Sequence, residues 1–309
     1  MQNLGYACIN MALSSLPKSK RITTNRSMIR RTFDQKGVEY ASDLALSNLR
    51  DLLTILKWNK ENDINFFRMS SNIFPWGSEY NIEELANYGD LLIAAKAAGD
   101  FALENNMRLT SHPGPFNKLC SPKEHVVKNT ITDLKIHGLL FDMMGLSRSP
   151  FNKINIHVGA AYDCKATALD TFCKNFERLP ESVRSRLTVE NDDRPSLYST
   201  YELFDGVYER IGIPIVFDYH HHKFRNDGES EEDALTLAAL TWGDIKPVVH
   251  YSESRRHEMN DFRIRENAHS DYIYNKIEDH NIETDIMIEA KAKEKALMKY
   301  REDHLSPKE

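Results

Sequence analysis

Six short runs rich in branched aliphatic residues, RLTSH, KINIHV, RLTVEN, PIVFDYH, KPVVHYS and DIMIEA, each carry a histidine or a carboxylate near the C-terminal end. The residues are His112, His157, Glu190, Asp218 with His221 just beyond it, His250 and Glu289. Each run has the length of a buried strand and is followed by a stretch with helical character. When strands and helices alternate around a parallel barrel, every C-terminal strand end opens on the same face, so side chains far apart in sequence meet around one axis. The pattern predicts a single (β/α)8 TIM barrel of the α/β class with a metal cluster on that face.

Two further apolar runs, LGYACI and INFFRMS, complete eight strands. Helices are predicted over 43–62, 82–105, 122–144 and 231–242, with Ser42 and Ser121 as N-caps and Pro122 at the first helical position. No Pro/Gly/Ser linker interrupts the alternation, so one domain is expected over residues 1–309, ending in a charged helix and frayed tail from about residue 291. At 309 residues and 41% hydrophobic content the chain can bury a core of this size.

A net charge of −6 argues against attraction to nucleic acid over the whole surface. The distribution is uneven. Between Met1 and Phe33 there is no acidic residue, and Lys18, Lys20, Arg21, Arg26, Arg30 and Arg31 follow the first strand. On a barrel that loop shares the face of the clustered ligands, where its charges would neutralise phosphates. Cys8, Cys120, Cys164 and Cys173 lack C-x-x-C spacing and suit a reducing compartment. The N-terminal MQNLGYACINMAL has no basic flank before a long apolar run, and no segment reaches the ~18–20 apolar residues of a membrane span. The expectation is a soluble intracellular monomer, cytoplasmic or, in a eukaryote, nuclear, with no membrane partner.

Buried carboxylates are costly unless paired or bound to metal. Glu190 follows Leu187, Thr188 and Val189; Asp218 follows Ile215, Val216 and Phe217; Glu289 follows Ile286, Met287 and Ile288. Three such acids in one barrel point to cations. The run Asp218 to His222 is the densest ligand source, although spacing does not choose among His220, His221 and His222. His269 in ENAHSDY is a further candidate, whereas His125, His137, His257, His280 and His304 lie in helical or polar contexts and read as surface residues. Imidazole and carboxylate without thiolate suit Mn²⁺, Zn²⁺, Co²⁺ or Fe²⁺. The number of candidates implies two or three divalent ions sharing a bridging carboxylate. Two or three such ions outweigh three carboxylates, so the site would attract a phosphate although the chain as a whole is acidic.

The residues also carry a family resemblance. LGYACINMAL, TTNRS, NLRDLL, FFRMSSNIFP, SHPGPF, SPKE, NIHVGAAY, LTVENDDR, FDYHHH, KPVVHYS, AHSDY and MIEAKAKE occur in the order seen in UV damage endonucleases, over about residues 4–297. That family resembles endonuclease IV and xylose isomerase in being TIM barrels with metal clusters. The resemblance implies a DNA repair enzyme acting on double-stranded DNA with UV lesions, nicking it immediately 5′ of the photoproduct by metal-assisted hydrolysis and leaving a 3′-hydroxyl. It implies Mn²⁺ first, with Zn²⁺ or Co²⁺ as alternatives, and a catalytic set of Glu190, Asp218, His250 and Glu289. Within it Glu190 is the bridge, His112 and His157 complete one metal, Asp218, His250 and Glu289 a second, and His221 with His269 a third. Tyr6 and Asn10 fall near the implied lesion pocket, and Pro115 and Phe116 take the place of residues inserted into the duplex. Many members have Gln where Pro115 stands, which leaves Phe116 as the wedge. Some carry a Lys at the position of Val248 and a His at that of Asn72; both departures bear on the third metal. Two rival readings are a metal-dependent sugar isomerase on the same barrel and a protein that binds damaged DNA without cutting it.

Overall fold

The computed structural model describes residues 3–305. All eight expected runs are strands: β1 (Leu4–Ala7), β2 (Phe66–Met69), β3 (Arg108–Ser111), β4 (Ile154–Ile156), β5 (Leu187–Glu190), β6 (Ile215–Asp218), β7 (Val248–Tyr251) and β8 (Asp285–Ile288). Each pairs in parallel with the next, and β1 pairs back onto β8, so the sheet closes in sequence order. The expected TIM barrel is therefore the observed fold. Register fixes the rim: Asp218 stands beside His250 and Glu190 beside Val216.

Side chains alternate along each strand. One set, including Tyr6, Phe67, Leu109, Ile156, Val189, Phe217, Val249 and Ile288, is buried against the surrounding helices. The other set faces inward, where Ala7, Phe66, Val216, Val248 and Met287 pack together with Trp242. Below this layer the barrel floor holds a guanidinium. Arg108, 1% exposed, donates to Phe151 O at 2.9 Å, Lys246 O at 2.7 Å and Asp285 Oδ2 at 3.0 Å, and its cationic head lies 4.8 Å from the Phe151 ring. Lys246 Nζ closes on the other Asp285 oxygen at 3.1 Å.

The helices differ from expectation at their starts. The first long one covers Arg30–Glu61 and breaks at Gly37, whose φ of 69° a residue with a Cβ rarely adopts. Ser42 thus lies inside a helix, buried and donating to Asn87, and is not an N-cap. The early turns are held by packing, since Phe33 stacks on Trp76 at 5.6 Å and on Tyr80 at 6.5 Å. The helix Tyr88–Glu104 follows a separate 3-10 turn, Ile82–Glu84. Glu124–Met143 begins after Lys123, so Pro122 precedes it, and Ser121 accepts from the Lys123 amide at 3.2 Å. Glu231–Leu240 is capped by Ser230. His137, expected at the surface, is buried on the inner side of its helix. The last helix, Glu294–His304, starts with a buried carboxylate that accepts from the Met11 and Ala12 amides at 2.9 and 2.8 Å. The expected tail beyond residue 305 lies outside the described residues. Among the described residues no helix is long and apolar enough to cross a membrane.

Candidate metal centre

Glu190 ends β5 and is 1% exposed, at the middle of the C-terminal rim. Its Oε2 faces His112 Nε2 at 3.0 Å and His157 Nε2 at 3.7 Å, while Oε1 faces His250 Nδ1 at 3.2 Å and His221 Nδ1 at 3.4 Å. Asn155 on β4 donates to Oε2 and accepts in turn from Thr188 Oγ1 at 2.7 Å. That chain fixes the carboxylate plane from beneath.

Three groups of potential ligands lie within 4.8 Å: His112 with Glu190 and His250, His157 with Glu190 and His221, and Asp218 with His250 and Glu289. Glu190 is common to two of them, the position expected of a bridge. The division differs from the expected one elsewhere: His112 and His157 fall in separate groups, and His221 joins His157. His269 stands beside the third group, with Nδ1 at 2.9 Å from Glu289 O and 3.7 Å from Glu289 Oε2.

Neighbouring groups set which ring nitrogen is available. His112 Nδ1 faces Pro113 O at 3.2 Å and His157 Nδ1 faces Asp192 Oδ1 at 3.4 Å, so each presents Nε2 to Glu190; His221 Nδ1 faces Asn191 O at 2.9 Å and Glu190 Oε1 at 3.4 Å, and its Nε2 lies 4.0 Å from Asp218 Oδ2. His250 is reversed. Its Nδ1 faces Glu190 and Glu289, the latter at 3.1 Å, and its Nε2 meets the Nζ of buried Lys153 at 3.2 Å. The choice left open in the triple histidine follows from the chain path. β6 stops at Asp218, which accepts from the His221 amide at 2.8 Å and starts the helical turn Tyr219–His222. His221 then faces the cluster, His220 turns toward His269 and Phe224, and His222 packs on Phe217.

The electrostatics are those of a site lacking balance. Burial pushes the Asp218 carboxyl up to about 6, with Glu190 and Glu289 adding to the rise. Burial also pushes His250 down to about 4. For His221 burial opposes the charge, yet Asp218 and Glu190 overcome it and raise the imidazole to about 9. Glu190 and Glu289 resist burial and stay well below the usual carboxylate range, the first through His250 and His157, the second through Arg68. Asp218 Oδ2 and His250 Nδ1 are buried with no hydrogen-bond partner among the described residues. Orphaned lone pairs from one acid and one imidazole, converging in one group, fit a divalent cation.

Other expected residues divide. Phe116 is 89% exposed and stands on a ridge with Pro115, between a cleft of about 480 Å³ that runs to His112, His157 and His221 and one of about 540 Å³ lined by Ser71, Asn72 and Asn117. Asn72 belongs to that second cleft rather than to the ligand groups. Tyr6 is different: it is fully buried on the helix side of β1, donating to Asn59 at 2.6 Å and accepting from Asn10 at 3.0 Å. Asn10 itself caps the turn Met11–Ser14. Both are buried, and neither presents a surface to a base in this conformation. Arg26 is likewise committed, paired with Asp51 at 2.6 Å and donating to Thr23 O. Lys18, Lys20 and Arg21 are exposed, with no ion pair among the described residues.

Several residues of the site were not singled out by the sequence. Lys153, Asn155 and His157 share the inner face of β4, as Thr188 and Glu190 share that of β5, so period two along each strand is the signal that finds them. Val248 lies in the inner apolar layer, and a lysine amine reaches His250 from β4 instead. Lys118 and Arg194 line the cleft beside His157. The Lys118 amine passes over Gly159, where φ is +69° and a Cβ would collide with it.

A family description, UV-endonuclease UvdE, matches residues 2–307. A UV-damage endonuclease of Schizosaccharomyces pombe is 35% identical over 95% of this chain, which spans 49% of that protein's length. A UV DNA damage endonuclease of Bacillus thuringiensis subsp. konkukian is 32% identical over 97% of this chain and 93% of its own. The crystal structure of SacUVDE superposes with a TM-score of 0.82 at 33% identity, covering 98% of this chain and 97% of that one. D-psicose 3-epimerase from Clostridium cellulolyticum H10, at 11% identity and a TM-score of 0.53 over 94% of this chain and 85% of that one, shares the fold alone. With matching sequence over its whole described length and a matching barrel, the chain belongs to the UV-endonuclease UvdE family.

Proposed function

We propose that the protein is a metal-dependent DNA repair endonuclease that nicks UV-damaged duplex DNA immediately 5′ of the photoproduct and leaves a 3′-hydroxyl. The observation that carries the reading is the convergence of Glu190 with four imidazoles and of Asp218, His250 and Glu289 beside it, within a family whose relatives are named UV-damage endonucleases. Divalent ions held by these groups, Mn²⁺ foremost, would supply Lewis-acid assistance to displacement at phosphorus.

The chain's own residues set up the rest. Lys18, Lys20 and Arg21 neutralise backbone phosphates on the approach to the rim. Phe116 enters the stack at the lesion, where photoproducts have already weakened base stacking and extrusion costs less than in sound DNA. The cleft between Phe116 and His157 receives the extruded bases, with Lys118 and Arg194 toward their phosphates. His112 and His157 hold their Nε2 atoms toward Glu190 because Pro113 O and Asp192 face the opposite ring nitrogens, while His221, whose Nδ1 lies near both Asn191 O and Glu190, turns Nε2 toward Asp218. Asn155 and Thr188 hold Glu190 in plane, so the ligand geometry exists before substrate arrives.

The test is incubation of irradiated supercoiled plasmid with the protein and Mn²⁺, with and without chelator. Relaxation of irradiated plasmid alone, abolished by chelator and followed by extension of the nicked end by a polymerase, is the expected result. Tight binding without relaxation would leave a damage-binding protein and end the nuclease reading.

A further inference from the structure

Arg68 sits on the inner face of β2, one alternation above Phe66 and beside the ligand cluster. Its Nη1 donates to Glu289 Oε1, the same oxygen that faces His250 Nδ1 at 3.1 Å. A cation among Asp218, His250 and Glu289 needs lone-pair density from that carboxylate, so Glu289 is shared between two positive partners. The guanidinium is otherwise underused. Of its five N–H donors only this one is bonded among the described residues, and Nε is buried without a partner. A guanidinium that shares its one carboxylate with divalent cations is left short of negative charge, and the anion that this face is built to receive is a phosphodiester. The planar fork of arginine matches two oxygens of a phosphate, which a lysine would meet only as a point charge.

We propose that Arg68 is a catalytic residue: with DNA bound, it keeps one N–H on Glu289 and donates others to a non-bridging oxygen of the phosphodiester that is cut. Negative charge on that oxygen is stabilised by a donor already in place. This rests on the nuclease reading given above. The rival role is that of a counter-ion which does no more than hold Glu289 in position.

Arg68→Gln and Arg68→Lys separate the two. Mn²⁺ binding to the DNA-free protein is measured by calorimetry, affinity of the metal-free protein for irradiated duplex by fluorescence anisotropy over a salt series, and nicking under single-turnover conditions. The Gln variant is expected to bind as many Mn²⁺ ions as wild type, to lose about one unit of salt slope, and to nick on the order of 10²–10³-fold more slowly. The Lys variant is expected to keep the slope and still nick at least roughly tenfold more slowly, because it retains the charge and loses the fork. A Gln variant that binds fewer Mn²⁺ ions with an unchanged slope would make Arg68 a positioning residue and overturn the proposal. If the Gln variant does not fold, the Lys variant decides alone, and a wild-type nicking rate overturns it. Failure of wild-type protein to nick irradiated plasmid is a separate outcome that removes the nuclease reading itself.

Discussion

The barrel buries charge at both ends and treats it in opposite ways. At the floor Arg108 has a partner on each side of its guanidinium, and Asp285 meets both Arg108 and Lys246. At the rim Asp218 Oδ2, His250 Nδ1 and Arg68 Nε are buried with no hydrogen-bond partner among the described residues; Asp285 Oδ1 at the floor has none either, but faces the Lys246 amine at 3.1 Å. Asp285 at the floor and Asp218 and His250 at the rim are equally buried, so the difference is one of completeness. A buried ionic network in which each charge meets an opposite one is closed to ligands and contributes order. One with convergent lone pairs left over costs stability until something cationic fills it. What separates the two ends is the balance of charge: one carboxylate between two cations at the floor, three carboxylates crowded together at the rim.

The largest effect that bears on this contrast is at Glu190. Glu190→Gln is expected to reduce the number of Mn²⁺ ions bound and lower nicking by at least about 10³-fold, while the chelated protein still unfolds cooperatively, since an amide costs less to bury than a carboxylate. Calorimetry, the plasmid assay and a thermal melt check it; a Gln variant with full nicking activity would dissolve the distinction. Arg108→Met tests the floor. It leaves Asp285 short of a partner and is expected to lower the unfolding free energy by about 3–5 kcal/mol, read from urea titration, with nicking per folded molecule unchanged.

Phe116→Ala probes the one large apolar side chain on the ridge. At 89% exposure its removal is expected to change stability by less than about 0.5 kcal/mol, yet to weaken binding of irradiated duplex by about 1–3 kcal/mol, measured by anisotropy. The smallest effect per step comes from pH. His221, raised to about 9, must lose a proton to serve as a ligand, so Mn²⁺ affinity is expected to rise about tenfold per pH unit toward 9 and flatten above it. In chelated protein the sign reverses. An imidazole whose folded pKa exceeds the unfolded value of about 6.5 contributes stability below that value, and the contribution is lost as pH rises through 9. Melts at several pH values, with and without Mn²⁺, should therefore diverge as pH rises, and parallel curves would place the ion elsewhere.

The barrel was legible because its strands announce themselves: each is a brief apolar run, and a carboxylate after such a run has little to explain it except a ligand. Helix starts were less readable. Arg30 to Gly37 reads as a charged loop, and only the stacking of Phe33 on Trp76 and Tyr80 makes it helical. The grouping of ligands was hidden for a different reason. Which imidazoles share an ion depends on ring rotations set by Pro113 O, Asp192 and Asn191 O, contacts that no linear spacing encodes. The contacts of Tyr6 and Arg26 were equally hidden, because their partners, Asn59 and Asp51, lie on the first long helix, far from either in sequence. Lys153 and Arg68 escaped notice as ordinary basic residues. Their strand parity, counted from His157 and from Phe66, would have turned them inward.

The buried Glu294 carboxylate holds the amides of Met11 and Ala12. A clasp of this kind makes the start of the final helix a foundation stone for the cationic stretch that follows the opening strand. Any natural variant altered at residue 294 would therefore be felt first in the segment after the opening strand, as slackness in Lys18, Lys20 and Arg21, and only later in the barrel wall.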